Sequence, residues 1–325
     1  MLYKDPFVLE EKINRLCADE EPFFFVINYE QTEAHLVENP LKQSEIFFRF
    51  PTAEHKPFEY SSPKEVIFNV IPNDFGDYKR KFDKLHDYLK KGEISLANLT
   101  ERTKIETNLS LENIFALSGS LYQIYMPGKF VCFSPERFVK IADGKISTNP
   151  MKGTIDANIP NAGQIILEDK KEIDEHTATV RLLSDELAAV SQNVRCARFR
   201  YIDKLNTNRK NLLQVSSEIV GELPADYIRH IGTILFSLLP GGSICGEPKQ
   251  RALEILQEIE DTGRNYYCGI AGYFDGKMLD TAVLIRFIEQ EGNEMYFRSG
   301  GGITVDSICE KEYQEVLNKV YLPFV

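Results

Sequence analysis

The chain has 325 residues, which is enough for a large core in one domain or two. Its hydrophobic share of 43% and charged share of 27% are ordinary for a folded soluble protein. The formal net charge of −11 at pH 7 disfavours a nucleic-acid backbone or an anionic membrane as partner, and leaves room for an anionic small substrate only in a locally basic pocket.

The cysteines and the chain start bear on the compartment. The six cysteines show no CxxC pair and no metal-ligand spacing, which predicts reduced thiols. The first residues lack the basic, apolar and small-residue order of a signal peptide. The longest apolar runs, such as residues 23–27, are too short to span a bilayer. We therefore expect a cytoplasmic protein with neither nucleic acid nor membrane as a partner.

The first half of the chain alternates strand-like runs with connections. Residues 22–29 form an apolar run typical of a buried strand, and residues 51–72, rich in proline and charge, are expected to be irregular. Apolar residues at helical spacing predict a helix over 78–91 that stops at Gly92. Residues 130–141 predict two strands joined by a tight turn.

The second half predicts longer elements. Residues 170–190 indicate an amphipathic helix whose apolar face carries Ile173, Thr177, Val180, Leu183, Leu187 and Val190. Another helix should open just after Pro248. Residues 267–289 indicate a hairpin with a type I′ turn at Asp275-Gly276, and a second hairpin turns at Gly292-Asn293.

The sequence also predicts the last element of the chain and the number of domains. A final helix is expected from Ser307, which has capping-box spacing to Glu310. No linker or internal repeat divides the chain. The sequence therefore predicts a single mixed α+β domain.

One lysine is held between residues that break helices. The stretch Asn149-Pro150-Met151-Lys152-Gly153-Thr154 predicts a turn in which the Lys152 backbone is fixed, so that its amine can be aimed. An aimed, partly desolvated amine can act as a nucleophile. The alternative is an ordinary turn lysine that faces water.

Two glycine-rich segments could bind anions. Ser299-Gly300-Gly301-Gly302-Ile303 lies before the final helix, and uncovered backbone amides there could converge on a carboxylate. The segment 240–249, which contains Ser243, opens onto a helix in a way that also suits an anion. Either segment could instead be a tight crossing, and neither matches a phosphate-loop or dinucleotide motif.

Charged side chains suggest a metal and a substrate anion. Glu312, Glu315 and Lys319 share one face of the final helix, and two carboxylates at that spacing can hold Mg²⁺, with Glu175 as a third candidate ligand. The alternative is a solvated charged face. Arg286 interrupts an apolar strand over 281–288, so it needs an internal or a substrate carboxylate as its partner.

The order of these motifs resembles the chorismate-utilising enzymes. The resemblance is strongest from Ser134-Pro135-Glu136-Arg137-Phe138 to the C-terminus. It is carried by the segments 149–154, 240–249, 268–273, 280–286, 299–303 and 312–319. It implies a single chorismate-binding domain over 1–325, with a shorter and more divergent part at about 1–90. The expected architecture is α+β, with mostly antiparallel sheets in a β-sandwich-like core flanked by helices.

Within that family, the lysine indicates the branch. Anthranilate and isochorismate synthases usually carry alanine at the Lys152 position, whereas aminodeoxychorismate synthases read similarly to Met151-Lys152-Gly153-Thr154. The resemblance implies that Lys152 attacks chorismate and displaces its 4-hydroxyl. Ammonia then gives 4-amino-4-deoxychorismate, a precursor of para-aminobenzoate and folate. Leu96 stands where isochorismate-type enzymes have a lysine base.

The resemblance also implies binding roles and a partner. Mg²⁺ would be held by Glu175, Glu312 and Glu315, and the site would further contain Thr154, Ser243, Tyr273, Arg286, Gly300, Gly301, Gly302, Lys319 and Gln214. The chain has no glutaminase motif, so a separate glutamine amidotransferase subunit would supply the ammonia.

The sequence departs from the family at several positions. Gln214 stands where most relatives have a histidine, Arg181 replaces an aspartate, and Ser184-Asp185-Glu186 replaces Arg-Asn-Asp. Cys245 and Glu247 replace smaller or hydroxyl residues. Two alternatives therefore stay open, namely an anthranilate synthase component I-like activity and a chorismate-binding homologue with reduced catalysis.

Overall fold

The structure of the chain, a computed structural model, describes residues 1–56, 63–206 and 211–322. The helices of the described part are α1 (Pro6–Ala18), α2 (Phe75–Lys90), α3 (Leu111–Leu117), α4 (Ala162–Glu168), α5 (Lys170–Ala188), α6 (Ile231–Leu238), α7 (Lys249–Ile259) and α8 (Cys309–Asn318). Short 3₁₀ turns cover Tyr227–His230 and Gly242–Ile244. None of these helices has the length and apolar character needed to cross a membrane.

The strands are β1 (Leu2–Tyr3), β2 (Phe23–Ile27), β3 (Ala34–Glu38), β4 (Phe47–Phe50), β5 (Ala53–His55), β6 (Phe68–Ile71), β7 (Leu96–Thr107), β8 (Tyr122–Met126), β9 (Phe130–Ser134), β10 (Arg137–Ala142), β11 (Lys145–Thr148), β12 (Met151–Asp156), β13 (Gln192–Asn206), β14 (Asn211–Glu222), β15 (Gly246–Glu247), β16 (Ile270–Phe274), β17 (Leu279–Val283), β18 (Phe287–Glu291) and β19 (Glu294–Ile303).

These strands form two antiparallel sheets. The first sheet has the order β1-β3-β2-β16-β17-β10-β11-β14-β12, with β13 also paired to β14. The second has the order β15-β7-β19-β18-β9-β8-β4-β5, with β6 also paired to β7. The expectation of an α+β fold with antiparallel sheets and flanking helices is confirmed.

Aromatic side chains from both sheets meet in one core. Phe24 of β2 stacks on Phe48 of β4 with ring centroids 4.2 Å apart, and Tyr273 of β16 contacts the same Phe48 ring. Helices α1, α5 and α6 contribute to this core, whereas α2, α7 and α8 form a second core against β7 and β19. Burial of this apolar surface is the main force that holds the sheets together.

Two of the passages of the chain from one sheet to the other lie next to each other. The two strands predicted within residues 130–141 are present as β9 and β10, but β9 belongs to the second sheet and β10 to the first, so they do not pair with each other. β17 and β18 make the reverse passage through Arg286, which has a φ of +53° and lies between strands rather than inside one. The backbones of the two passages are joined by Val283 N–H to Glu136 O at 3.1 Å and by Phe133 N–H to Arg286 O at 3.0 Å.

Several local predictions were wrong in detail. The segment 51–72 contains β5 and β6, while residues 57–62 lie outside the described residues. In the first predicted hairpin only Gly276 has a positive φ, because a four-residue connection replaces the type I′ turn. Helix α8 starts one residue after Ile308 without a capping box, since the Ser307 hydroxyl binds the Glu312 carboxylate instead.

Candidate functional site

Lys152 lies in a strand, not in the turn that we predicted. β12 is an edge strand that pairs with β14, and its register shifts between Lys152 and Thr154. Gly153 has a φ of +75° at this bulge, a conformation that costs glycine little. Pro150 can precede the strand because an edge has no ladder partner to lose. The bulge fixes the backbone on which the half-buried Lys152 is carried.

Thr154 and Gln214 face each other across β12 and β14, one pair beyond Lys152 and Val215. The side chain of Thr154 lies outside the described residues. The amide oxygen of Gln214 is buried and has no hydrogen-bond partner among the described residues, and the same holds for the Ser216 hydroxyl two residues on. Buried acceptors and donors without a partner are costly, so both atoms are available to form hydrogen bonds with a polar ligand.

Glu136 is a site residue that we did not single out. It lies at the first passage between the sheets, next to Arg286 at the second. Burial raises the pKa of its carboxyl, although the positive charges of Lys152, Arg286 and Lys319 oppose that shift. Its presence in the segment 134–138 that carried the family resemblance could have drawn attention to it.

The start of α5 brings two more groups to Lys152. Burial and the charges of Glu175 and Asp169 raise the pKa of Glu172, whereas Lys171 and Lys152 act in the opposite direction. His176 is fully buried, one turn further along the helix, and Nε2 lies 2.7 Å from the Ser217 hydroxyl. Burial, with the charges of Arg200 and Lys152, lowers the His176 pKa to about 4, so the ring is neutral at physiological pH.

The buried face of α5 therefore differs from the one that we predicted. Its buried residues are His176, Val180, Leu183 and Leu187, whereas Ile173 is only half-buried and Thr177 is exposed. Glu172, Glu175 and His176 are spaced three and four residues apart, which places them on adjoining faces of the helix. That spacing is the sequence feature by which Glu172 and His176 could have been found.

The glycines 300–302 lie inside β19, beyond the residues 294–298 that pair with β18. They pair with Leu99, Thr100 and Asn98 of β7 in a regular ladder. Gly301 instead leaves space: a Cβ there would lie 3.6 Å from Glu312 Oε2 and 3.9 Å from Lys319 Nζ. The absence of side chains keeps this strand clear beside the charged groups of α8.

Lys319 is anchored at this strand. Its Nζ donates to the Gly300 carbonyl at 2.7 Å and pairs with Glu315 at 2.7 Å. Burial and the charges of Arg286 and Lys152 lower the Lys319 pKa, which shows that three cations share one region. Arg286 is held by the Tyr321 hydroxyl at 3.1 Å. These cations can bind an anionic substrate.

The three candidate metal ligands lie within reach of one another's charge, but they do not form one coordination site in the structure. Glu175 pairs with Lys171 at 3.4 Å, and Lys171 also acts on Glu312. Burial and the neighbouring Glu315 raise the Glu312 pKa. Throughout the described ranges, no group of three or more His, Cys, Asp or Glu side chains could hold a metal ion. The donor chemistry suits Mg²⁺, but Glu175 has to exchange Lys171 for the ion.

Two predicted binding residues show no link to the Lys152 region. Tyr273 packs in the aromatic core against Phe48, and Ser243 lies in the 3₁₀ turn without a hydrogen bond to the described residues. The turn already has an anion of its own, because Glu186 accepts from the Gly242 amide at 3.0 Å and pairs with Lys249 at 2.6 Å. Anion binding by segment 240–249 is thus satisfied internally.

The residues that differ from the family pattern lie in different parts of the structure. Glu247 is exposed and lies in β15 opposite Leu96, with its carboxylate 3.5 Å from the Ser95 hydroxyl. Leu96 contacts the glycine strand, since a Cβ at Gly302 would lie 3.1 Å from its Cδ1. Arg181 is exposed and Cys245 is buried. Glu247 therefore adds no charge to the interior.

Known sequences resemble this chain over most of its length. An uncharacterised PabA-like protein of Pasteurella multocida is 43% identical, over 96% of this chain and 97% of that protein. Aminodeoxychorismate synthase component 1 of Salmonella typhimurium is 31% identical over 75% of this chain, and anthranilate synthase component 1 of Acetivibrio thermocellus 30% over 83%. This chain covers only 56% and 57% of those two longer proteins.

The fold is shared with solved structures. The menaquinone-specific isochorismate synthase of Escherichia coli superposes with a TM-score of 0.76 over 98% of this chain and 82% of that one, at 17% identity. A profile described as "chorismate binding enzyme" matches residues 6–323. With a matching profile over nearly its whole length and relatives above 30% identity, the chain belongs to the family of chorismate binding enzymes.

Proposed function

We propose that this chain is an aminodeoxychorismate synthase component I, which converts chorismate and ammonia to 4-amino-4-deoxychorismate. The observation that carries the proposal is Lys152 itself. Its side chain is half-buried and is paired with no carboxylate among the described residues, and its charge acts on Glu136, Glu172 and Lys319. Such an amine is free to act as a nucleophile.

The proposed reaction has two displacements. The Lys152 amine bonds to the chorismate ring, and electrons move through the conjugated system to expel the 4-hydroxyl. Ammonia then bonds at the 4-position, and the electrons return to release the lysine amine. The departing hydroxyl needs a proton. Glu136, whose pKa is raised by burial, keeps its proton to a higher pH than an ordinary carboxyl group and is the candidate donor.

The anionic ends of the substrate need positive charge. Arg286 lies between β17 and β18, Lys319 directly follows α8, and the charges of both act on Glu136 together with that of Lys152. In this proposal they bind the carboxylates of chorismate, and the clear strand at Gly301 admits the ring. When bound at Glu175, Glu312 and Glu315, Mg²⁺ would supply charge that stabilises the ring carboxylate and the leaving oxygen.

The ammonia source is a separate subunit in this proposal. Relatives named aminodeoxychorismate synthase component 1 support the assignment at about 30% identity, and the name itself implies a second component. The chain carries no glutaminase motif in its sequence. A glutamine amidotransferase is therefore the proposed partner, in a pathway to para-aminobenzoate and folate.

One assay tests the reaction. Purified protein is incubated with chorismate, Mg²⁺ and a high concentration of ammonium salt, and the products are separated and identified by mass spectrometry. Aminodeoxychorismate is the expected product. Anthranilate would instead assign the activity of the 30% identical anthranilate synthases, and chorismate that binds without turnover would assign a binding protein.

A further inference from the structure

Arg286 is held differently from other arginines of the interior. Arg137, Arg264 and Arg298 each form an ion pair with a carboxylate at 3.0 Å or less. Arg286 forms no ion pair within 4.0 Å in the parts of the chain that the structure describes, and its Nε donates to the Tyr321 hydroxyl at 3.1 Å. In the same parts of the chain, Nη1 and Nη2 form no hydrogen bond. This end of the guanidinium is the fork that binds a carboxylate with two parallel hydrogen bonds.

The backbone of Arg286 is fixed in an unusual conformation. Its φ of +53° is uncommon for a residue with a side chain, and such a residue persists where its surroundings determine its conformation. Its carbonyl accepts from the Phe133 N–H at 3.0 Å, which joins the passage between β17 and β18 to β9. The point from which the Arg286 side chain starts is therefore set by the fold.

Tyr321 fixes the far end of the same side chain. Its ring packs edge-on against the Phe133 ring with centroids 6.2 Å apart, and the Arg286 Cζ lies 5.6 Å from the Tyr321 ring centroid. Phe133 is 1% exposed and belongs to a buried apolar cluster against which Tyr321 packs. Phe133 thus holds the Arg286 backbone through its N–H and the Tyr321 ring through its side chain, so the hydroxyl that binds Nε is itself fixed.

We propose that Tyr321 is a positioning residue for Arg286: its hydroxyl occupies Nε, so that Nη1 and Nη2 are held ready for a carboxylate of the substrate. That this carboxylate belongs to chorismate rests on the proposed function, whereas the hydrogen bond and the packing do not. A free arginine side chain populates many rotamers and loses that freedom when a ligand binds. Tyr321 lowers this entropic cost in advance. The alternative is that Tyr321 only closes the core beside Phe133.

The first experiment measures chorismate binding by titration calorimetry with Mg²⁺ and without ammonium. Tyr321→Phe keeps the ring and removes the hydroxyl, so it should raise the Kd about tenfold, as expected for one lost hydrogen bond to a charged group, with little change in thermal unfolding. Arg286→Gln is the reference and should raise the Kd at least as much. Tyr296→Phe is the matched control, because Tyr296 also stacks on an arginine, Arg102, while its hydroxyl donates to Glu294. Its Kd should equal that of the wild type.

The second experiment separates positioning from packing. In ammonia-dependent turnover, Tyr321→Phe should raise KM for chorismate about tenfold and leave kcat unchanged, because a carboxylate away from the reacting carbon is bound equally in the ground state and the transition state. A variant that unfolds at a lower temperature but keeps the wild-type Kd and KM would show that Tyr321 is only structural, and would overturn the inference.

The outcomes also separate this inference from the proposed function. If Arg286→Gln weakens binding and Tyr321→Phe does not, the positioning role is wrong and the proposed function stands. If Tyr321→Phe weakens binding but the wild type forms anthranilate, the positioning role stands and the proposed reaction is wrong. If neither variant weakens binding, Arg286 does not bind the substrate, and the positioning role falls with it.

Discussion

Two clusters of charge lie inside this protein, and they are built differently. Around Arg264, which is 1% exposed, Nε donates to Glu260 at 2.8 Å, Nη1 to the Ile244 carbonyl at 2.9 Å and Nη2 to the Asn98 carbonyl at 2.6 Å. Around Lys152, the carboxylates Glu136 and Glu172 form no ion pair within the part of the chain that the structure describes. The first cluster has its partners within the fold, whereas the second leaves its charges available to a ligand.

This difference shows how a structural charge can be told from a chemical one. A buried charge that stabilises a fold needs all its donors paired, because an unpaired one is strongly unfavourable. A charge used in chemistry must keep at least one interaction open. The buried atoms without partners near β14, namely Gln214 Oε1, Ser216 Oγ and His176 Nδ1, lie with the second cluster. Each prediction below changes one cluster and tests whether the other responds.

The largest effect is expected at the nucleophile. Lys152→Ala should lower aminodeoxychorismate formation at least about 1000-fold, because it removes the amine that forms the covalent intermediate in the proposed reaction. Its thermal unfolding should remain close to that of the wild type, since Lys152 pairs with no carboxylate among the described residues. Mass spectrometry of the product and calorimetry provide the two measurements. Undiminished turnover would contradict the role of Lys152.

At Arg264, a loss of stability is expected instead of a loss of turnover. Arg264→Met should lower the free energy of unfolding by about 3–5 kcal/mol, because Glu260 is then buried without its counter-ion. Urea unfolding measures this change. Arg251→Met is the matched control, since the exposed pairs of Arg251 with Glu93 and Glu254 should be worth at most about 1 kcal/mol. Equal losses in the two variants would contradict the contrast between the clusters.

A smaller effect is expected at the proposed metal ligands. Glu312→Gln should raise the Mg²⁺ concentration needed for half-maximal turnover about 10- to 100-fold, the usual range when a metal site loses one supporting group. The concentration of Mg²⁺ for half-maximal activity is the measured quantity. Glu310→Gln, at an exposed position of the same helix, is the control. If both variants need the same Mg²⁺ concentration as the wild type, Glu312 is not a ligand.

Much of the fold could be predicted from the sequence. Helices α2, α5 and α7 lie where apolar spacing placed them, and the β18–β19 hairpin turns at Gly292 as expected. The passages between the sheets could not be predicted. A strand that ends in one sheet and continues in the other has the same alternation as an unbroken strand, and only tertiary packing decides between them. Arg286 was therefore placed inside a strand.

The candidate site was predicted only in part, again because tertiary packing decides which side chains meet. Motif order alone was enough to predict that Lys152, Arg286 and Lys319 share a region. Glu315 joins them through its interaction with Lys319. Glu136 and Glu172 were missed because their roles depend on burial and on which nearby lysines are already paired. Those properties depend on distances between elements far apart in the chain.

The smallest effect is expected at Glu136 and depends on pH. Its pKa is raised in the folded protein, so the folded state holds a proton more tightly than the unfolded chain. Stability from this group is complete below the ordinary carboxyl pKa and falls as pH rises through the raised value. Glu136→Gln removes the ionised form and should raise the free energy of unfolding at pH 7, while slowing turnover.

Glu315 provides the control with the opposite sign. Burial alone would raise its pKa, but the charge and hydrogen bond of Lys319 hold it below the usual range. Its stabilising contribution is therefore present above the unfolded pKa and is lost as pH falls, so Glu315→Gln should lower stability at pH 7. Urea unfolding of both variants between pH 4 and 8 separates the two. A loss of stability in both would mean that Glu136 is paired like the carboxylate of Glu260, and that the Lys152 cluster is structural.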